Sequence, residues 1–352
     1  AGEVINSYDY NNNLTGARDA EGNVTTYRFD RRGNLVEETD PLLVSTVMTY
    51  DGNGDQVSVR DANLNTTRYA YDVLGRMKKV IDPTGDTYES FYDPNGNRVA
   101  EKDAKGQVIR FEYDKFNRLL SVIDPLNQRM EYAYDDLGNI RFYTDIGGAV
   151  TEYRYDDLSR VVETIDAIGQ STGITYDSSG NRRMVTDALG RTYTYYYDEN
   201  NNLQRVIDPT GSATEFQYDS NNNRVAVKDA LGNVTRFEFD NLNRLVRVID
   251  PLNRDNRIGL DKNGNRISAT DGNGHTTNFR YDAAGRLRFV IDAKGSTTEY
   301  RYDDVGNLRF FTDANQHITE YRYNNKNLLI QSINPLGQTT AFHYDQNGNI
   351  IA

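Results

Sequence analysis

Apolar and polar residues alternate along this chain in short runs that never exceed strand length. In Val150-Thr151-Glu152-Tyr153-Arg154-Tyr155 the two aromatics stand two apart with a charged residue between them. The same pair recurs as Tyr27 and Phe29, Phe111 and Tyr113, Tyr132 and Tyr134, Phe237 and Phe239, and Tyr300 and Tyr302. Period-two spacing places both aromatics on one side of a strand and the intervening Arg, Glu, Thr or Ala on the other. A second kind of run, such as Arg118-Leu119-Leu120-Ser121-Val122-Ile123, is rich in aliphatic and β-branched residues and also has strand length. Turn chemistry separates every run from the next. One signal reads YDxxG[NR], as in Tyr92-Asp93-Pro94-Asn95-Gly96-Asn97, and the other reads D[AP]x[GN], as in Asp82-Pro83-Thr84-Gly85. Asp accepts hydrogen bonds from backbone amides just ahead of it, Pro presets φ, and Gly or Asn tolerates positive φ. A turn signal about every ten residues leaves no room for a useful helix. The pattern predicts hairpins throughout.

The hairpins keep a fixed beat. Counting from Tyr8, an aromatic followed by Asp or Asn stands every 21 residues to Tyr344, with Leu260 as the one aliphatic substitute and Asn324 as the one amide. The anchors used below are Tyr71-Asp72, Tyr92-Asp93, Tyr113-Asp114, Tyr134-Asp135, Tyr155-Asp156, Tyr197-Asp198, Tyr281-Asp282 and Tyr302-Asp303, with Asp82, Asp103 and Asp124 opening second turns. Tandem copies of one supersecondary unit bury their apolar faces against their neighbours. The expectation is therefore one continuous array over residues 1–352, about seventeen units, in which the anchors are structural.

A slower rhythm lies inside the first. Arg76, Arg118, Arg160, Arg244 and Arg286 end the first turn on a 42-residue grid, and Asn97, Asn139, Asn181, Asn223, Asn265 and Asn307 end it in the alternate units. Ile81, Ile123, Ile165, Ile207, Ile249, Ile291 and Ile333 precede the second Asp on the same grid, where the alternate units carry Arg18, Arg60, Lys102, Thr144, Thr186, Lys228, Thr270 and Thr312. The structural unit reads as a pair of repeats in two environments, the isoleucine position better buried and its alternate more solvated.

Composition narrows the functions. A net charge of -12 opposes a nucleic-acid backbone as partner, because counterion release needs clustered Lys and Arg. The chain has no cysteine, which excludes disulfides and thiolate metal sites. No apolar run approaches the length of a membrane span. The mean hydropathy of -0.76 is low for a thick core, yet 26 Tyr and 13 Phe held largely in register argue against disorder. The balance predicts a thin structure, a single curled sheet.

YDxxGR, VIDPxG and TxYxYDxxGN closely resemble the YD repeats of the Rhs superfamily, over nearly the whole chain and sixteen successive intervals of equal length. That family includes bacterial Rhs polymorphic toxins, shell components of insecticidal toxin complexes, wall-associated proteins and the animal teneurins. The resemblance implies a strip of β-hairpins spiralling into a hollow tube or shell. It also implies three roles: a structural tube or fibre segment of a large secreted or cell-surface protein, a cocoon shielding a C-terminal effector, or an adhesion module for glycans or proteins. Within the 352 residues there is no proline-rich self-cleavage signature and no effector or plug, and the repeat length never varies. Uniform spacing favours the tube or fibre, as a window of a longer protein.

Candidate sites are few. Asp51-Gly52-Asn53-Gly54-Asp55, Asp261-Lys262-Asn263-Gly264-Asn265, Asp93-Asn95-Asn97 and Asp345-Asn347-Asn349 imitate the start of a calcium loop. A calcium loop also needs Gly at its sixth place and Glu at its twelfth, where Gln56 and Ala62 stand after Asp51. Turn chemistry accounts for the same residues. His275, His317 and His343 lie in different units without a recurring partner, so no catalytic centre, metal or cofactor is expected. Self-association into fibres or an enclosed protein cargo are the expected partnerships, with tyrosine stacking on sugars as a lesser option.

Overall fold

The computed structural model describes residues 3–352, and among these the regular structure is entirely β: 33 strands in one sheet. Strands of five and six residues alternate, as in β14 (Ile140–Thr144) and β15 (Val150–Tyr155), followed by β16 (Val161–Ile165). Successive strands pair antiparallel, β14 with β15 and β15 with β16. The all-β hairpin array read from the periodicity is what the chain forms. It divides into two compact units. Unit 1 contains the chain up to Phe91, Glu101–Gln107 and Arg257–Ala352; unit 2 contains Tyr92–Ala100 and Val108–Asn256.

The hairpins closed by the first turn share one irregularity, and those closed by the second turn pair without it. Tyr155 pairs with Val161 while Arg154 pairs with Glu163, so one extra residue is accommodated where the shorter strand begins. The same shift occurs at Tyr113, Tyr134, Tyr176, Tyr218, Tyr281, Tyr302 and Tyr323. A bulge adds twist and takes a backbone group out of the ladder. Because it recurs at the anchor itself, it leaves the 21-residue beat intact.

One face holds most of the aromatics. Tyr132 lies opposite Tyr143 with ring centroids 5.5 Å apart, and Tyr300 lies opposite Phe311 at 5.4 Å. The other face is a lattice of charge. Arg129 Nη2 donates to Glu112 at 2.6 Å and Nε donates to Glu131 at 2.7 Å, while Ser121, wholly buried, donates to Glu112 at 2.9 Å. Arg247 joins Glu238 and Asp255 in the same way. Full burial is confined, among the described residues, to Gly16, Ser121, Ala226 and Thr312. The side-chain layers are as thin as composition indicated.

One expectation fails. The isoleucines of the 42-residue grid are half-buried throughout, but so are Thr144, Thr186 and Thr270, and Thr312 is buried outright. Only Arg18, Arg60 and Lys228 are exposed at the alternate position. The threonines remain covered because their hydroxyls find partners across the strand pair: Thr186 meets Thr192 at 2.8 Å and Thr270 meets Thr276 at 2.8 Å. The rhythm at this position selects the chemistry of the side chain more than its burial.

Candidate functional site: turn rims and the seam of unit 1

Both turns of each repeat have the same construction. Asp72 N–H donates to Arg76 O at 2.9 Å and Gly75 N–H donates to Asp72 O at 3.1 Å; Asp82 with Asp86, and Gly85 with Asp82, repeat this at 3.0 Å each. This is a three-residue hairpin loop that ends on a left-handed residue. Gly75 has φ 75° and Gly85 has φ 92°, where a side chain would be strained. The carboxylate completes the loop. Asp72 Oδ1 accepts from Leu74 N and Arg76 N at 2.8 and 3.0 Å; Asp82 Oδ1 accepts from Thr84 N and Asp86 N at 2.9 and 3.1 Å. Asp114, Asp124, Asp135, Asp156, Asp198 and Asp282 all accept these two amides. Asp93, Asp103 and Asp303 accept the amide four residues on.

In most repeats the tyrosine of the anchor answers the bulge of the repeat before it. Tyr155 O–H donates to Ile140 O at 2.7 Å, fifteen residues earlier. Tyr71 reaches Gln56 O at 2.9 Å, Tyr113 reaches Arg98 O at 3.1 Å, Tyr134 reaches Leu119 O at 2.7 Å, Tyr281 reaches Arg266 O at 3.0 Å, and Tyr302 reaches Leu287 O at 2.7 Å. The accepting residue is the one paired across the bulge with the preceding anchor, Ile140 with Tyr134 for example. A carbonyl displaced from the ladder needs a donor, and the next phenol supplies it. Burial pushes the Tyr155, Tyr197 and Tyr302 hydroxyls above their ordinary pKa. Tyr92 also has partners of its own.

The Arg and Asn rhythm has two tasks. Within its own turn either residue grips the second Asp oxygen: Arg160 Nε donates to Asp156 Oδ2 at 2.7 Å, and Asn139 Nδ2 donates to Asp135 Oδ2 at 3.0 Å. These contacts, with the amides, hold both carboxyls below their usual range. Towards the next repeat the two differ. Arg118 and Arg160 lie over the rings of Tyr134 and Tyr176, each 4.5 Å from the centroid. Asn97, Asn181 and Asn307 instead donate to Asn117, Asn201 and Asn327, at 2.8, 2.9 and 3.0 Å. Each recipient is a left-handed asparagine of the following turn.

Two histidines need correction. His275 and His317 do share a partner position: their Nδ1 atoms lie 3.2 and 3.0 Å from Asp271 Oδ2 and Asp313 Oδ2, four residues before each. They fill the place that Arg and Asn fill elsewhere. In the calcium-like loops the oxygens serve the turns. Asp51 Oδ1 accepts from Asn53 N and Asp55 N at 2.8 and 3.0 Å, and Asp93, Asp261 and Asp345 accept from the side chains of Asn97, Asn265 and Asn349. No group of three or more His, Asp or Glu residues poised for a metal ion occurs among the described residues.

Within unit 1 two stretches far apart in sequence meet along their turns. Asn263 Nδ2 donates to Asp19 Oδ2 at 2.7 Å and Lys262 N donates to Glu21 Oε1 at 2.8 Å. Asn63 Nδ2 donates to Asp303 Oδ2 at 3.3 Å, and Asn347 Nδ2 donates to Asp103 Oδ2 at 2.6 Å. Lys105 Nζ lies 2.6 Å from Asp345. Lys326 Nζ sits between Asp82 Oδ2 and Asp86 Oδ2, 2.7 Å from each, and also donates to Gln346 O at 2.8 Å. Burial alone would lower the lysine's pKa, but the two carboxylates outweigh it and raise it. Side-chain partners across this seam stand 240 or 244 residues apart, about eleven and a half repeats. The half-integer matters: second turns of early repeats meet first turns of late ones. Beside Ala284, too short to reach across as Asn263 does, a cleft of about 1190 Å³ opens against Asp40 and Pro41. The repeat consensus contains no trace of this pairing; the seam residues Lys105, Asn263, Lys326 and Asn347 vary freely at their turn positions.

Comparison with known proteins agrees with the geometry. The profile described as Teneurin YD-shell matches residues 43–203 and 189–310, and the one described as RHS Repeat matches residues 8–42. No curated protein sequence matches the chain. Among solved structures, the crystal structure of TcdB2-TccC3-TEV aligns with 99% of this chain at a TM-score of 0.64 and 15% identity. A Photorhabdus luminescens Tc holotoxin pore with a substitution in TccC3 aligns with 99% at 0.63 and 16% identity. At these identities the likeness is one of fold. The chain spans 25% of the length of either structure. No helix among the described residues is long and apolar enough to cross a membrane.

Proposed function

The chain belongs to the Teneurin YD-shell family, and from that membership we propose that it is a non-enzymatic wall, one continuous array forming part of a hollow tube or fibre in a large secreted or cell-surface protein. The observation that carries this reading is the seam of unit 1. A ribbon of hairpins becomes a wall when rims of distant repeats bond to one another, and here they do so through at least six side-chain contacts. Open backbone edges invite unwanted pairing, and turns bonded to turns leave only strand edges to be managed. In this reading Tyr71, Tyr113, Tyr134, Tyr155, Tyr281 and Tyr302 tie each repeat to the one before, while Tyr92 and Tyr197 are structural anchors of their own repeats. Their neighbouring aspartates, with Asp82, Asp103 and Asp124, close the loops. Electron microscopy of the purified protein, with small-angle scattering, tests the proposal. A hollow particle with a wall one sheet thick is expected; an extended flexible ribbon would sink it.

The fold shared with the Tc holotoxin favours a second reading, in which the wall encloses a protein cargo. The two readings separate by protease protection of a passenger domain fused after Ala352. A passenger that is digested at its free rate leaves the tube or fibre; one that survives until the array unfolds supports the enclosure.

A further inference from the structure

The loops that imitate the start of a calcium site carry a second chemistry, which turn formation leaves unused. Asparagine followed by glycine occurs at five places, Asn53, Asn95, Asn263, Asn273 and Asn347, each two residues after the Asp that opens a turn. In all five the glycine is left-handed, with φ of 86–93°, and its amide donates back to the Asp carbonyl at 2.9–3.3 Å. The backbone geometry is shared, so what separates the sites is the side chain. Asn53 and Asn273 make no side-chain hydrogen bond among the described residues; only their backbone amides are held, by Asp51 and Asp271. Asn263 and Asn347 are ties of the seam. Their Nδ2 atoms donate to Asp19 Oδ2 at 2.7 Å and to Asp103 Oδ2 at 2.6 Å.

An Asn-Gly pair can react with itself, because glycine has no Cβ to block the approach of the asparagine side chain. The glycine nitrogen attacks the side-chain carbonyl carbon and forms a C–N bond. Ammonia leaves with the proton that the nitrogen loses, and water then opens the succinimide ring to aspartate or isoaspartate. The attack requires the side chain to swing back onto its own backbone, which an amide bonded across the seam cannot do. We propose that Asn263 and Asn347 are deamidation sites gated by the seam, and that their reaction makes a transient opening permanent. While the rims are closed, both amides are held away from the glycine nitrogen. Once the rims part, they react as free Asn-Gly pairs do, and the product cannot be taken back. At residue 263 a carboxylate would face Asp19 where a donor had met an acceptor. At residue 347 it would face Asp103, and its other oxygen would stand where Asn347 Oδ1 is already buried without a partner. Lys105 is held by Asp345. The tie from Asn63 to Asp303 is inert to this chemistry, because Leu64 follows Asn63. The inference needs the seam and not the hollow wall; a ribbon bonded to itself in any shape would be gated in the same way.

Ageing of the purified chain at mildly alkaline pH, with each site followed by peptide mass spectrometry, tests the gate. Asn53 and Asn273 serve only to measure the rate that the loop itself permits. Asn263 and Asn347 are expected to react at least about tenfold more slowly, the weight of one hydrogen bond to a charged acceptor. Lys326→Met removes the tie to Gln346 O, next to Asn347. It should bring Asn347 towards the rate of Asn53 and leave Asn53 and Asn273 unchanged. Asn263→Asp and Asn347→Asp supply the product directly. Each should quicken hydrogen exchange on both sides of its tie, at the Asp19 or Asp103 turn as well as at its own, whereas Asn53→Asp should affect its own turn alone. Equal rates at the four sites, an Asn347 rate indifferent to Lys326→Met, or Asp19 and Asp103 turns indifferent to the aspartates would each overturn the proposal. The ageing comparison uses the unaltered chain, so a variant that fails to fold leaves the test standing.

Discussion

The phenol of Tyr155 does more than fill space, because its hydroxyl meets a carbonyl that the bulge has removed from the ladder. Tyr155→Phe keeps the ring and orphans Ile140 O, so it should cost about 1 kcal/mol, the net value of one such bond. Hydrogen exchange of β14 and β15 would register it as faster local opening, and unchanged protection would mean that water replaces the phenol. The converse change is informative because Phe239 lacks the hydroxyl while Arg224 sits at the bulge fifteen residues before it. Phe239→Tyr should therefore stabilise its hairpin by a similar amount. Leu43 and Leu64 offer a further test, since both adopt φ 65° where most turns place Gly or Asn. Left-handed backbone costs a residue with a Cβ about 1–2 kcal/mol, and Leu43 is 85% exposed, so little packing opposes its removal. Leu43→Gly should raise the melting temperature; a fall would show that the leucine has a contact on the rim. Anchors were legible in the sequence because they repeat at fixed spacing. The carbonyl that each one serves was not, because a bulge common to every repeat adds nothing to the spacing.

At the level of the hairpin, the turns are titratable devices. In Asp135, Asp156 and Asp198 the side chain four residues on is the leading cause of a carboxyl pKa held below the ordinary 3.8, with the amides assisting. A depressed folded pKa means stability that is complete above the unfolded value and lost as pH falls through the folded one. Acid should thus weaken the array progressively below about pH 4. Tyrosine sets the other limit. Burial raises the Tyr155, Tyr302 and Tyr323 hydroxyls above the ordinary 10.0, so their contribution is complete below that value and lost as pH rises through the folded one. Thermal melts from acid to alkali should show a plateau with both shoulders, the upper one coinciding with tyrosinate absorbance; a melting temperature that ignores acid would refute the role of the carboxylates. The turns themselves were readable from Asp, Pro, Gly and Asn. The meaning of the 42-residue rhythm was only half readable. Arg160 and Asn181 mark alternate turns as expected, yet what distinguishes them is their reach into the next repeat, onto the ring of Tyr176 or the amide of Asn201. Burial at the isoleucine grid was misjudged because threonine pairs, such as Thr186 with Thr192, cover their own hydroxyls.

At the scale of the whole chain, curvature decides which turns meet, and no local pattern encodes curvature. That is why the seam of unit 1 lay outside what the repeats could tell, even though its residues are in plain view. Lys326 is its strongest single tie. Its side chain is 15% exposed and that of Asp82 is 13% exposed, so the pair lies between a surface bridge and a buried one. Surface bridges contribute up to about 1 kcal/mol and broken buried pairs cost about 3–5, which brackets Lys326→Met at about 2 kcal/mol. Part of that cost arises from leaving Asp82 and Asp86 facing each other uncompensated. The triple variant with Asp82→Asn and Asp86→Asn should therefore recover stability relative to Lys326→Met alone, although it removes more charge. The loss should also be shared by two distant stretches. In a repeat array held only by nearest neighbours, a change at Lys326 would loosen β31 (Ile318–Tyr323) and β32 (Leu329–Ile333) and nothing else. With the seam intact in solution, exchange must also quicken in β8 (Met77–Ile81) and β9 (Thr87–Tyr92), on either side of Asp82 and Asp86. Coupled exchange across some 240 residues is the signature of a ribbon bonded to itself; exchange that changes on one side alone means the rims do not meet.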